Sequence, residues 1–208
     1  MFEDREEAGD RLADAVAEVG PDRPLVLGLP RGGVPVADRV ARRLGVPMDV
    51  TVVRKIPVPS SPETAIGATT AEGPPLFDQH ALWMLGLSPG DLTTAVETAQ
   101  AEARRRVDAY RGQEPAPQVV GRDVVVVDDG LATGMSAKAA LSALREQGPA
   151  SLMLAVPVGA PEAVRSLAEL CDQVICPQTP VDFRAVSLWY RKFPQVDDDE
   201  VRQLLHRS

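Results

Sequence analysis

The chain has 208 residues, 44% hydrophobic and 25% charged, with a formal net charge of −8. That is length enough for one α/β domain with a small appendage, and the acidity argues against nucleic acid as the main ligand, because phosphate backbones are held by clustered Lys and Arg. No apolar run approaches a bilayer span, and the charged start Met1-Phe2-Glu3-Asp4-Arg5-Glu6-Glu7 does not read as a signal peptide. The only cysteines, Cys171 and Cys176, are spaced too widely for a C-x-x-C site and read as small buried hydrophobes. The expected location is the cytoplasm.

Residues 5–19 place Leu12, Val16 and Val19 on one helical face, with acids opposite, and Pro21 to Pro24 break the helix. Residues 25–29 read as a short buried strand, Pro30-Arg31-Gly32-Gly33 as a sharp loop, and 34–44 as a helix with Val36 and Val40 inward, ended by Gly45. Residues 48–56 form the next expected strand. The prolines of 57–62 suggest a stiff, exposed loop without core residues, and 65–71 a further strand closed by Gly73-Pro74-Pro75. The longest helix is expected over 89–110, where Leu92, Val96, Ala99, Ala103 and Tyr110 keep a helical period. Its Arg104-Arg105-Arg106 cluster reads as a solvated face. A Pro-containing linker, 112–118, follows. Then come a strand, a helix over 136–147, a strand over 151–158, a helix over 161–170 and a strand over 173–176, before a tail helix over 196–205. Such alternation makes a parallel sheet with right-handed crossovers, with ligands at the carboxyl ends of the strands. His80 and His206 have no partners that a sequence can identify.

The run Val124-Val125-Val126-Val127-Asp128-Asp129-Gly130-Leu131-Ala132-Thr133-Gly134-Met135-Ser136 carries the most chemistry. Four β-branched residues suit a strand buried on both faces. A Gly/Thr/Ser turn at a helix N-terminus cradles an anion, because its backbone N–H groups converge and the helix dipole adds partial positive charge. Two adjacent carboxylates cannot bind that anion, but they suit neighbouring hydroxyls or a metal beside it. A sugar phosphate satisfies both halves. There is no Gly-Lys-Ser/Thr of a P-loop, and no G-x-G-x-x-G follows a strand.

These residues resemble the phosphoribosyl pyrophosphate (PRPP) motif of the type I phosphoribosyltransferases. The resemblance implies a central, mainly parallel α/β sheet flanked by helices, with a small hood: a single domain over 1–208, its core over 20–178, and its hood built from the N-terminal helix and 179–208. It implies that Asp128 and Asp129 contact the ribose hydroxyls, and that Ala132, Thr133, Gly134, Met135 and Ser136 wrap the 5′-phosphate. The turn at Arg31, Gly32 and Gly33 resembles the family's pyrophosphate loop, which often carries a cis peptide. Val53-Arg54-Lys55, at the end of a strand, resembles the stretch in adenine and xanthine members where a basic residue contacts pyrophosphate. Side chains alternate across a strand, so only one of Arg54 and Lys55 is expected to face the site, with Arg54 preferred. Residues 56–70 stand where the family has a mobile lid, although three prolines equally suit a rigid surface loop. Phe183, Trp189 and Tyr190 are candidates to stack on an acceptor base, and equally to plug the space between tail and core.

The resemblance further implies a PRPP-dependent glycosyltransferase of nucleotide metabolism that uses Mg²⁺, held mainly by the substrate with help from Asp128 and Asp129. Its partners would be PRPP, an unidentified base and a second copy of the chain as a homodimer. A non-catalytic module that senses PRPP or nucleotides is the alternative. A hydrolase or phosphotransferase on another sugar phosphate would have no need of the Arg31 turn.

Overall fold

The structure, a computed structural model, describes every residue except Ser60, Gln113 and Ser208. Its centre is a five-stranded parallel sheet in the order β2-β1-β6-β7-β8. The chain enters through α1 (Arg5–Val19), which Asp4 caps by accepting from the amides of Glu6 and Glu7. β1 (Leu25–Gly28), α2 (Gly33–Leu44) and β2 (Met48–Val50) follow. A second, antiparallel sheet comprises β3 (Val53–Val58), β4 (Ser61–Thr70) and β5 (Leu76–Phe77). Then come α3 (Gln79–Leu85), a 3₁₀ turn at Pro89–Leu92 and α4 (Thr93–Arg111). β6 (Asp123–Val127), α5 (Met135–Glu146), β7 (Ser151–Ala155), α6 (Pro161–Leu167) and β8 (Gln173–Ile175) complete the sheet. A 3₁₀ turn at Val186–Trp189 and α7 (Asp198–Leu205) form the tail.

Period-two alternation divides the core. Val26, Val125 and Val127 face one side of the sheet with residues of α1, α2, α4 and α7. Leu25, Leu27, Val124 and Val126 face the other side with α5 and α6. Both faces are covered, so these strands read as unbroken apolar runs. From β1 the chain builds toward β2 on one side, and from β6 toward β7 and β8 on the other. The strand order therefore reverses between β1 and β6, where open α/β sheets bind ligands.

The helices α1 and α2 meet closely at Gly9, where a Cβ would lie 2.7 Å from the Cβ of Arg39 and 3.1 Å from the carbonyl oxygen of Val36. Gly9→Val is expected to force the pair apart and cost about 2 kcal/mol, as overpacking usually does. A lowered urea midpoint at unchanged m-value would show it.

Several boundaries differ from those expected. The strand over 48–56 is two strands in different sheets. β2 ends where the Thr51 amide donates to the Gly28 carbonyl at 3.1 Å, and Val52 is buried in the crossing. Residues 57–62 are not a coreless loop, although Ser60 lies outside the described residues. Pro57 and Val58 extend β3, and Val58 packs with Ile56, Ile66, Leu82, Leu92 and Ala99 in a small separate core. Pro57 is tolerated because β3 is an edge strand whose register shifts there. The long helix opens with a 3₁₀ turn, and the strand over 151–158 ends at Ala155, after which Val158 bridges to Gln178 and Gly159 to Leu131. The helix expected over 161–170 stops at Leu167.

Candidate active site

The carboxyl ends of β1 and β6 bring two loops together. After β1, the Leu29 amide donates to the Val127 carbonyl at 2.9 Å, tying the first loop to the end of the neighbouring strand. The Pro30–Arg31 peptide is cis. The Gly33 amide then donates back to the Leu29 carbonyl at 3.0 Å as α2 begins. Both glycines are required by crowding. A Cβ on Gly32 would stand 2.1 Å from Oδ2 of Asp129, and one on Gly33 would stand 2.7 Å from the Val127 carbonyl oxygen and 2.8 Å from Cα of Asp128. The turn that carries Arg31 therefore lies directly against the paired acids.

Asp128 leaves the sheet with its amide donating to the Ala155 carbonyl at 3.3 Å. Its Oδ1 accepts from the Asp129 amide at 2.8 Å. Burial, and then the charge of Asp129, push the Asp128 carboxyl well above its ordinary value. Burial raises Asp129 too, opposed by its ion pair with Arg5 at 2.9 Å. The Tyr190 hydroxyl donates to the Asp129 carbonyl at 2.5 Å.

The second loop is braced at its start. Leu131 donates to the Val158 carbonyl at 2.9 Å and accepts from the Ala160 amide at 2.8 Å. Gly134, at φ +73°, turns the chain into α5. Among the described residues, the amides from Ala132 to Ala137 donate to no protein acceptor. Ala132, Thr133, Met135 and Ser136 are exposed. A row of free donors thus stands at the start of a twelve-residue helix, the geometry by which helix N-termini receive anions.

Thr133, Met135 and Ser136 also line a cavity of about 1160 Å³ between this loop, the β3–β4 hairpin and α4. Arg54 and Lys55 both line it, where alternation along the strand led to the expectation of Arg54 alone: the cavity reaches from the loop to α4 across the hairpin and takes in both long side chains, with Thr94, Thr98 and Glu102. Arg54 stands 3.7 Å from Glu102, which also meets Arg105 and, at 3.6 Å, Arg106. Residues 56–70 form most of the hairpin that walls this cavity, with their own apolar core against α3 and α4. A smaller cavity of about 340 Å³ opens on the other side of the acids, lined by Arg5, Arg31, Gly32, Asp129, Phe193 and Gln195 among others. Arg31 reaches toward Asp198 of α7 at 3.9 Å. The same carboxylate accepts from the Tyr110 hydroxyl at 2.6 Å, and burial with that bond pushes Tyr110 up to about 12.

The tail aromatics stand apart from both cavities' linings. Tyr190 is buried, and Phe183 and Trp189 are half-buried, in a cluster with Phe2, Val158 and Phe193. Phe193, which sequence reasoning passed over, lines the smaller cavity instead. Arg5, Glu102 and Asp198 were also missed. For Arg5 a signal existed: a cation in the first turn of a helix opposes the dipole and needs another reason to be there.

A parallel sheet with two glycine-containing turns at its reversal point, covered by helices and carrying a small second sheet, is the type I phosphoribosyltransferase fold. The chain belongs to the phosphoribosyl transferase domain family, whose model matches residues 3–190. It is 40% identical, over all of its 208 residues, to a candidate phosphoribosyl transferase of Mycobacterium tuberculosis H37Rv. The match covers 47% of that protein, so the chain spans about half the length of the curated relatives it matches first. The crystal structure of TT1426 from Thermus thermophilus superposes with a TM-score of 0.86 at 43% identity, covering 99% of this chain and 98% of that one. A shorter stretch of 69 residues, 33% of each chain, is 44% identical to the uracil phosphoribosyltransferase of Clostridioides difficile. No helix among the described residues is long and apolar enough to cross a membrane.

Proposed function

We propose that the chain transfers the 5-phosphoribosyl group of PRPP to a nitrogenous base and releases pyrophosphate. The observation that carries this reading is the meeting of the Arg31-Gly32-Gly33 turn, the Asp128–Asp129 pair and the 132–136 amides at one sheet reversal. One ligand with a diol between a monophosphate and a diphosphate fits all three. The amides of 132–136 and the hydroxyls of Thr133 and Ser136 take the 5′-phosphate. Asp128 and Asp129 take the ribose hydroxyls. Arg31 and the Gly32–Gly33 backbone take the diphosphate, with Arg54 and Lys55 arriving from the hairpin. The base nitrogen attacks C1′ as the bond to pyrophosphate breaks, and the electron pair leaves with pyrophosphate. No side chain forms a covalent bond, so the protein's work is orientation and charge stabilisation.

Mg²⁺ fits this arrangement as a substrate-held ion. No group of three His, Cys, Asp or Glu side chains among the described residues could hold a metal by itself. Asp129 is already paired with Arg5, so Asp128 is the protein ligand on offer and phosphate oxygens must supply the others. When bound, Mg²⁺ would neutralise charge on the diphosphate.

The test is pyrophosphate release from Mg²⁺-PRPP with a panel of purines and pyrimidines. Uracil belongs on the panel because of the local likeness to a uracil enzyme. Base-dependent release is the expected result. Saturable PRPP binding without release from any base would favour the sensing module, and absence of PRPP binding would overturn the reading altogether.

A further inference from the structure

Arg5 is 8% exposed. A buried guanidinium has to be matched by partners, and each of those found here belongs to the site or to the tail beside it. Its Nε donates to Oδ2 of Asp129 at 2.9 Å, and Nη1 donates to the Pro194 carbonyl at 2.7 Å. Its planar head lies 3.8 Å from the centre of the Phe193 ring. The Gly32 turn closes a further side, where a Cβ would come 3.4 Å from Nη2. The N-terminal helix, the tail, the diphosphate turn and the acid pair thus meet at one side chain.

We propose that Arg5 is a positioning residue for PRPP, fixing the Asp129 carboxylate in the one rotamer that fits against the Gly32 turn. The inference rests on the transferase reading above. Two adjacent carboxylates repel, and without a counter-charge the Asp129 side chain would swing from its neighbour and lose the direction a ribose hydroxyl requires. Arg5 removes that freedom before the substrate arrives, and the Phe193 ring and Pro194 carbonyl hold Arg5 itself. A caged arginine with two directed donors is better suited to this than a lysine, whose ammonium lacks the planar fork.

The experiment measures PRPP affinity by calorimetry, with KM and kcat for PRPP where turnover is found, in the parent chain, Arg5→Gln, Arg5→Lys, Asp129→Asn and the Arg5→Gln/Asp129→Asn double variant. Arg5→Gln is expected to weaken PRPP affinity about tenfold, within the range of coupled neighbours, and to raise KM more than it lowers kcat. Arg5→Lys should recover part of the loss. In the Asp129→Asn background, Arg5→Gln should add little, because it acts through the group already removed. Undiminished PRPP affinity in folded Arg5→Gln, or fully additive losses in the double variant, would overturn the positioning role. Thermal melts identify a variant that fails to fold; should Arg5→Gln do so, a folded Arg5→Lys with the parent's affinity and KM would overturn it just as well. A parent chain that does not bind PRPP would instead bring down the transferase reading and this inference with it, which separates the two failures.

Discussion

Asp128→Asn is expected to melt higher than the parent chain while losing PRPP turnover. The Asp128 carboxyl is pushed up by burial and by the charge of Asp129. Its ionised form is therefore disfavoured in the folded chain relative to the unfolded one. A raised carboxyl gives stability that is complete below the unfolded value, near pH 4, and is lost as pH rises through the folded value. Above the unfolded value the parent therefore loses that contribution progressively as pH rises. Asparagine keeps the acceptor that Oδ1 offers to the Asp129 amide and discards the charge. The expected gain is about 1 kcal/mol, the usual size for relaxing one functional position, or ~3 °C for a domain of this length. Melts from pH 4 to pH 8 should show the advantage growing as pH rises and disappearing in acid. Turnover of PRPP should fall by about a hundredfold, since a directed charged hydrogen bond to a ribose hydroxyl is worth ~1.5–3 kcal/mol. A variant that melts lower at pH 8 would contradict the electrostatic account of the pair, and full turnover would contradict its role.

The parts of this site that could be read from sequence are local ones. Residues 124–136 announce strand, acids, turn and helix within one stretch, because each step is dictated by neighbouring side chains. The Arg31 turn was legible for the same reason. The change of sheet after Val50 was not, since the apolar pattern runs on through Val52 and Val53 and only the Thr51–Gly28 hydrogen bond marks the break. Prolines 57 and 59 suggested a loop because proline removes a ladder donor, yet Pro57 sits in an edge strand with a side on which none is needed, and Pro59 stands in the turn just beyond it. α3 shows no amphipathic stripe, as Trp83, Met84 and Leu85 are all exposed and only Leu82 is buried. Arg5 and Asp129 are 124 positions apart, and nothing short of the fold pairs them. The tail aromatics were a true concentration, but the structure puts Tyr190 beneath Asp129 as a hydrogen-bonded prop, where its ring packs on Phe2 and Phe193.

Gly32→Ala and Gly33→Ala, adjacent and chemically identical changes, are expected to fail in different ways. Neither glycine is among the positive-φ residues, so alanine is not barred by backbone conformation and the outcome turns on what the new Cβ meets. At position 32 it meets Oδ2 of Asp129 at 2.1 Å. That atom ends a side chain, which can rotate away, at the expense of its bond to Arg5 and its direction toward the substrate. The fold should survive with a loss of about 2 kcal/mol, as for one broken charged hydrogen bond, while PRPP affinity falls about a hundredfold, or ~2.7 kcal/mol. At position 33 the Cβ meets the Val127 carbonyl and the Asp128 backbone, at the end of the central strand of the sheet. Backbone held by ladders on both sides cannot give way, so Gly33→Ala should cost about 3 kcal/mol of stability, the upper range for overpacking. Urea denaturation beside PRPP calorimetry on both variants separates the cases. Equal stability losses at the two positions would show that the Asp129 side chain is as immovable as the strand. Parent-like PRPP binding by Gly32→Ala would show that the Asp129 carboxylate has no part in holding PRPP.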